Sequence, residues 1–479
     1  MVFSFPFHVD PAHPHPRPLV SQIVQTLAER IGDGSLAPGS RLPSVRRLAA
    51  QCGVSTLTVS NAYNRLVADG ALEARPARGY FVAARPRHQA RDVPAPVATS
   101  VDSLWLLQRA YEENSPLLKA GGGWLPEDYL FTDAIRHALA VQARRPDPAI
   151  MRYGNPYGHP GLRQSIRLLL AQQQIACGDS SIILTHGASQ ALELAIRCVI
   201  RPGDTVLVDD PGYSNLYPTL QSLGARIVGV PRLQDGPCLE HLDRLARHHA
   251  ARLFVTNTRL HNPTGTSYSA PVAHQALMLA ERHDFLIVED DIFAGLAPED
   301  TVTLARLDQL RRVIHVSSFS KTISPGLRVG FLACRPDLAQ HVLRLKMAGS
   351  LTSSGLGESI VHTILTEGRY RLHLARVRDR LATARKSLCD ALDAAGLDLF
   401  CRPEGGMFVW AAPRRPTDMR ALAERAATQD IMLAPGCLFR PDQAETPWMR
   451  LNVIHANDPR LFRFLREAMP DRDAARPPA

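Results

Sequence analysis

Five short, almost wholly apolar runs recur through the middle of the chain: Ile182–Leu184, Val206–Val208, Leu253–Val255, Phe285–Val288 and Val313–Val316, with helical stretches between them. A strand that is apolar on both faces must be covered on both faces. A parallel sheet sandwiched between helices meets that demand. The pattern therefore restricts this part of the chain to an α/β fold with a mostly parallel central sheet. It also locates the chemistry, because open sheets of this kind bind ligands beyond the carboxyl ends of their strands.

Composition sets the outer bounds. The 479 residues, 45% of them hydrophobic, suffice for two or three domains with a sizeable core. No apolar run approaches the ~18 residues of a membrane span. The opening residues, Met1 to His8, lack the basic flank and long apolar stretch of a signal peptide. Eight cysteines are scattered without a Cys-x-x-Cys pair, which argues against a zinc ribbon or disulfide framework and predicts a reducing cytoplasm. His13 and His15 alternate with prolines and read as part of a flexible arm, so no metal site is expected.

Residues 84–103 have no apolar period and several prolines, the composition of a partly extended linker. The boundaries follow: a helical domain over 13–83, the linker over 84–103 and the α/β domain over 104–473. In the first domain Leu19, Ile23, Leu27 and Ile31 recur every four residues on one helical face. Ser44 is placed to cap a short helix carrying Val45, Leu48 and Ala49. Gly53 supplies a turn, and Ser55 caps a second helix with Val59, Ala62, Leu66 and Val67 inward. Two such helices form a helix-turn-helix, and Ala71 to Val82 reads as the hairpin of a wing.

Charge agrees with that reading. Residues 1–91 hold 11 arginines against five acids, a net +6, leaving only about +3 of the chain's +9 for all the rest. Positive charge concentrated in a small helical segment predicts a polyanion partner, here double-stranded DNA. Arg41, Arg46, Arg47, Arg65, Arg75 and Arg78 would contact phosphates, with Thr56, Thr58, Ser60 and Asn61 facing the groove. A small helical domain that docks proteins is the alternative. The stretch Pro38-Gly39-Ser40-Arg41-Leu42-Pro43-Ser44-Val45-Arg46-Arg47-Leu48-Ala49, within Leu19–Val82, resembles the GntR family of winged-helix regulators. The resemblance puts Arg46, Thr56, Thr58, Ser60, Arg78 and Gly79 where that family contacts DNA. The recognition helix departs from the family in being poor in basic residues.

In the α/β region one lysine stands out, because only four of the 55 basic residues are lysines: Lys119, Lys321, Lys346 and Lys386. Lys321 sits among small hydroxyl residues in Ser317-Ser318-Phe319-Ser320-Lys321-Thr322, directly after an apolar run. Only a primary amine condenses readily with an aldehyde, so this setting suggests covalent cofactor attachment through a Schiff base. A solvated loop lysine is the plain alternative. The other requirements of pyridoxal phosphate are present in order. Gly187, Ala188 and Ser189 open a helix after a strand and can present amides to a phosphate. Tyr213 can stack on a ring, Asn262 can bond its hydroxyl, and Asp290 at a strand end can keep its nitrogen protonated. Ser318 and Arg328 suit the phosphate, and Ser320 joins them as a cofactor-binding candidate.

That ordered set, with Tyr153-Gly154-Asn155-Pro156-Tyr157-Gly158 and Met449-Arg450-Leu451-Asn452, resembles the fold type I pyridoxal-phosphate enzymes, the aspartate aminotransferase-like group. The resemblance implies that Arg450 binds a substrate or effector carboxylate and that Tyr153 reaches the phosphate of a neighbouring subunit. One position departs: Phe293 stands where the family has a tyrosine that helps hold the ring oxygen. A winged helix, a linker and this domain in one chain resemble the MocR subgroup of GntR regulators. That resemblance implies a transcription factor responsive to pyridoxal phosphate, and to an amino acid or amine, acting as a domain-swapped homodimer. Two alternatives stay open: an aminotransferase with an accessory winged helix, and a regulator that uses the large domain only to dimerise.

Overall fold

The computed structural model describes residues 18–76, 78–83, 116–144 and 151–469, so the linker reading at 84–103 and the histidine arm lie outside the described residues. The chain divides into two compact units between residues 97 and 98.

In the first unit the four-residue apolar period becomes helix α1 (Leu19–Gly32), with Ile23 and Leu27 fully buried; Leu19 and Ile31, nearer its ends, are less so. Helix α2 (Val45–Cys52) is capped by Ser44, whose hydroxyl accepts from the Arg47 amide, and closes on Gly53 in the left-handed conformation at φ 65°. Only glycine adopts that turn at no steric cost. Helix α3 (Thr56–Ala68) is capped by Ser55, whose Oγ accepts from the Thr58 amide at 3.1 Å. Strands β1 (Leu72–Arg75) and β2 (Gly79–Val82) pair antiparallel as the wing. Val59, Ala62 and Leu66 are buried as the periodicity requires, while Val67 is only half-buried. Tyr63, which the apolar pattern passed over, is fully buried; its hydroxyl donates to the Pro43 carbonyl at 2.9 Å and its ring lies 4.7 Å from Tyr80. Removing the Ser55 hydroxyl in Ser55→Ala should cost about 1 kcal/mol of local stability. Hydrogen exchange at the α3 amides is expected to quicken about fivefold, with the large unit unchanged.

The second unit is built on an eight-stranded sheet ordered β3-β10-β9-β8-β7-β4-β5-β6. Its strands are β3 (Ile182–Thr185), β4 (Thr205–Asp210), β5 (Arg226–Leu233), β6 (Gly236–Pro237), β7 (Leu253–Thr256), β8 (Leu286–Asp290), β9 (Val313–Ser318) and β10 (Gly330–Ala333). β4, β5, β7, β8 and β9 run parallel, and β10 is antiparallel to both β3 and β9. Helices cover both faces, which is what five doubly apolar strands demand. Alternation along β8 sends Ile287 into the core on one face and Val288 into the core on the other. Glu289 and Asp290 are the last two residues of β8, Asp290 at the strand end where the sequence placed it, and they inherit the same alternation. A smaller antiparallel sheet, β11 (Leu397–Leu399), β12 (Phe408–Pro413), β14 (Met449–Asn452) and β13 (Ala434–Pro435) in that order, closes the unit over its own core. Among the described residues no helix is long and apolar enough to cross a membrane.

Candidate functional site

β3, β4, β7, β8 and β9 all deliver their carboxyl ends to one edge of the sheet; Gly187, Tyr213, Asn262 and Lys321 follow those ends, Asp290 and Ser318 are the last residues of β8 and β9, and Arg450 comes from β14. Lys321 lies three residues beyond β9. Its Nζ donates to the Gly123 carbonyl at 2.6 Å. Burial, with the positive charges of Arg450 and Arg328 nearby, pulls its amine down to about 8, against the opposing pull of Asp290. Near pH 7 roughly a tenth of the amine is then neutral and nucleophilic, against well under a thousandth for an ordinary lysine.

Asp290 is buried, and burial pushes its carboxyl up to about 7, assisted by the neighbouring Asp291 charge and opposed by Lys321 and by the Ile292 amide, which donates to Oδ1 at 3.3 Å. A carboxyl so poorly satisfied can accept a strong charge-assisted bond from a cationic ring nitrogen. Tyr213 and Asp290 line one small void of about 20 Å³ together with Asn257 and His261. Tyr213 is half-buried, and its hydroxyl accepts from Asn215 at 3.2 Å.

At the opposite end of this group the helix Gly187–Val199 begins with no side-chain cap. Gly187 has φ +77°, and a Cβ there would meet the Arg328 guanidinium at 2.9 Å. Arg328 itself sits at φ 52° and donates to the His186 carbonyl at 3.1 Å. Uncapped helix amides beside an arginine form an anion cradle. Ala188 and Ser189 lie in that first turn. Ser318 is less available than the sequence suggests: its Oγ bonds Ser320 Oγ at 2.9 Å and the Val329 carbonyl at 3.1 Å, and accepts from the Ser320 amide at 3.1 Å.

Arg450, on β14, is buried between Phe408 and Phe439, its guanidinium carbon 4.7 Å and 4.8 Å from their ring centroids. It donates to the Gly121 carbonyl at 2.7 Å and to Asn262 Oδ1 at 2.8 Å. Burial lowers it to about 9. No carboxylate pairs with it among the described residues, so a buried cation is balanced only by neutral oxygens. A guanidinium in such a setting can pair with an anion that enters the site.

The residues that the sequence reading missed are the ones that hold the others. Asn257 donates to the Asp290 carbonyl at 2.6 Å and accepts from the Asn262 amide at 2.8 Å, linking β7 to β8. The carbonyls of Gly121 and Gly123 receive Arg450 and Lys321, and Asn452 fixes the same loop through Gly122 O at 3.0 Å. The Gly121-Gly122-Gly123 run was the available signal for that loop; Asn257 left none. Asp209, His261 and Arg232 form a buried set below, in which burial and Arg232 push His261 down to about 4. Phe293 is fully buried, edge-on to Phe408 at 5.7 Å. Tyr153 stands apart from the group, 84% exposed.

Lys346 is also buried and lowered to about 8 by burial, but its Nζ is bonded to Pro156 O at 2.7 Å and Ser353 Oγ at 2.9 Å. Its place is structural, behind the 153–158 loop. Among the described residues no group of three or more His, Cys, Asp or Glu side chains could hold a metal ion.

Residues 127–465 match the model of aminotransferase class I and II. The chain belongs to that family. Residues 19–82 match the model of gntR-family bacterial regulatory proteins, so a GntR-type helix-turn-helix precedes the aminotransferase domain, the MocR-like arrangement. The chain is 28% identical over 453 residues to the HTH-type transcriptional regulator YdfD of Bacillus subtilis, covering 92% of this chain and 93% of that protein. It is 28% identical to the HTH-type transcriptional regulator YdcR of Escherichia coli, covering 90% and 94%. Among solved family members, the α-aminoadipate aminotransferase LysN of Thermus thermophilus, complexed with N-(5'-phosphopyridoxyl)-L-leucine, superposes with a TM-score of 0.70 at 24% identity over 76% of this chain and 94% of that one. That likeness establishes the fold.

In the first unit Arg46, Thr56, Arg78 and Gly79 are exposed and Ser60 is half-buried. Thr58 is tied to the cap, its Oγ1 2.8 Å from Ser55 Oγ. Arg75 is engaged by Glu73 at 3.1 Å and lies 4.5 Å from the Phe81 ring centroid, which reduces its freedom to reach a phosphate. Leu57, unremarked in the sequence, projects from the start of α3 at 68% exposure.

Proposed function

We propose that this protein is a DNA-binding transcriptional regulator whose aminotransferase-like domain holds pyridoxal phosphate covalently on Lys321. An amino acid or amine reaching that site modulates promoter binding. The observation that carries the reading is the buried, carboxylate-free Arg450 within reach of a depressed Lys321 amine, in the same chain as a winged helix with exposed arginines. When bound, pyridoxal phosphate supplies an electron-withdrawing ring that makes an imine-linked amino compound reactive. In the residue roles we assign, Gly187, Ala188, Ser189, Ser320 and Arg328 receive the phosphate, while Ser318 braces the turn before Lys321 through Ser320 and Val329. Asp290 and Asn262 orient the ring beneath Tyr213, and Arg450 grips the carboxylate of an amino acid. Arg46, Thr56, Thr58, Ser60, Arg78 and Gly79 meet DNA, as units bounded at 13–83, 84–103 and 104–473. The exposure of Tyr153, beside the equally exposed Met151, supports a domain-swapped homodimer in which Tyr153 meets the partner's cofactor phosphate.

The test is binding of the full-length protein to its own upstream intergenic DNA at fixed salt, with and without pyridoxal phosphate. Specific binding that changes with the cofactor supports the reading; specific binding indifferent to it returns the large domain to dimerisation alone. A second reading, catalytic transamination, is favoured by the joint presence of Asp290, Lys321, Arg328 and Arg450 and disfavoured by Phe293, which brings no hydroxyl. Repeated turnover of an amino donor with a keto acid would establish it, whereas a stoichiometric spectral change would not. Arg450→Ala is expected to weaken an amino acid effector about 30- to 100-fold, one charge-assisted bidentate contact, and to leave the corresponding decarboxylated amine nearly unaffected.

A further inference from the structure

The sheet carries a second cavity, of about 590 Å³, away from the residues that surround Asp290. Its position follows from strand alternation. Glu289 and His315 are register partners on β8 and β9 and point with Ile287 and Val313, on the face opposite Asp290 and Val316. The cavity is lined by His315, by Arg259, and by Ser317, Ser318 and Phe319 at the root of the segment that carries Lys321.

This wall is built from buried polar groups, some with bonding capacity to spare. Arg259 is buried, and its Nε donates to Asp291 Oδ1 at 2.8 Å; Nη2 is held by Asp291 and by Gln173 at 2.8 Å, and these bonds leave Nη1 uncommitted. His315 is fully buried, with Nδ1 3.2 Å from Glu289 and Nε2 3.7 Å from Asp291 Oδ2. Its Nε2 has no hydrogen-bond partner among the described residues. A buried polar atom without a partner is costly unless something else meets it.

Further out the lining bears Arg306, Arg371 and Arg378 against Glu299 and Asp300. Arg378 approaches Glu299 at 3.9 Å, and neither Arg306 nor Arg371 takes part in an ion pair among the described residues. Aliphatic and aromatic side chains, among them Leu169, Leu374 and Tyr370, fill the spaces between these charges. A half-open cavity in which a few polar groups converge among aliphatic and aromatic side chains has the composition of a small-molecule site. The uncommitted groups are cations and one imidazole nitrogen, so the complement is an anion with a compact carbon body.

We propose that this cavity is a second ligand site, for a small carboxylate, separate from the site at Lys321. Two guanidinium groups meet the carboxylate near the mouth and the Arg259–His315 floor meets a polar group at the other end.

The experiment is calorimetric titration of the full-length, pyridoxal-phosphate-loaded protein with glutarate and, separately, with benzoate, each to about 10 mM, which would fill even a site of ~1 mM affinity. At least one probe is expected to bind, to bind equally in Arg450→Ala, and to weaken tenfold or more in the double variant Arg306→Ala/Arg371→Ala, which removes two charge-assisted contacts. Retention of the Lys321 chromophore shows that each variant is folded. If the alanine pair fails that check, Arg306→Gln/Arg371→Gln replaces it. Binding lost in Arg450→Ala, binding unchanged in the paired variant, or no binding of either probe overturns the proposal.

Discussion

Lys321→Ala is expected to lose covalent cofactor attachment completely: no imine absorbance band on adding pyridoxal phosphate, and no cofactor retained after borohydride reduction and denaturation. Lys346→Ala should keep both signals. The two amines make the comparison informative, because burial lowers each to about 8 and their basicity alone does not separate them. What separates them is their surroundings. Lys346 is spent on Pro156 and Ser353, so its loss should loosen the 153–158 loop and lower stability by about 1–3 kcal/mol. Lys321 has a single carbonyl partner and sits in the field of Asp290, Arg328 and Arg450. The pH dependence follows from the same numbers. An amine lowered from its ordinary value of 10.5 to about 8 becomes nucleophilic as pH rises through 8. The rate of imine formation in the cofactor-free protein should therefore rise between about pH 7 and 9 and level off above, where an unperturbed lysine would still be climbing. A midpoint near 10.5 would place the amine in solvent and sink the attachment reading. Arg450→Ala removes one of the cations that lower Lys321, so it should shift that midpoint upward.

Much of the site was legible because strands that are apolar on both faces can only lie in a covered parallel sheet, and such sheets gather the residues after their carboxyl ends. Lys321, Asp290, Asn262 and Gly187 became candidates through that argument joined to residue chemistry and their order along the chain, each being ambiguous by itself. What was not legible is what depends on a third element meeting two others. Asn257 matters because β7 and β8 are neighbours and its amide spans them, a fact of pairing order that local sequence does not carry. The exhaustion of Ser318 by Ser320 and Val329 depends on β10 turning back beside β9. In the first unit the caps at Ser44 and Ser55 were readable, since capping is local, whereas the burial of Tyr63 required the Pro43 carbonyl and the wing to come over it. The second cavity had no local sign, because its walls come from segments as far apart as Leu169, Arg259 and Arg371.

Arg46→Ala/Arg78→Ala should weaken DNA binding at least a hundredfold, about equally on specific and unrelated sequences. It should also flatten the dependence of log affinity on log salt by about 1.8, roughly 0.9 for each lost phosphate contact. Both guanidinium groups are exposed, one on α2 and one at the wing turn, and neither is held by an acid among the described residues; Arg75, held by Glu73 and Phe81, should matter less. Leu57 calls for the opposite signature. It carries no charge, is 68% exposed at the start of α3, and has Thr56 beside it, with the Thr58 hydroxyl already bound to Ser55. An apolar side chain that reaches a base edge in the major groove makes its contact with a thymine methyl. Leu57→Ala is expected to leave the salt slope and the affinity for unrelated DNA unchanged while reducing discrimination at one base pair about fivefold to thirtyfold. That outcome would separate the two tasks in a helix poor in basic residues, with arginines on α2 and the wing holding the backbone and an apolar tip reading the base. If Leu57→Ala instead lowered affinity for all sequences alike, the side chain would be supporting the helix and the base reading would have to come from Thr56, Ser60 and Asn61.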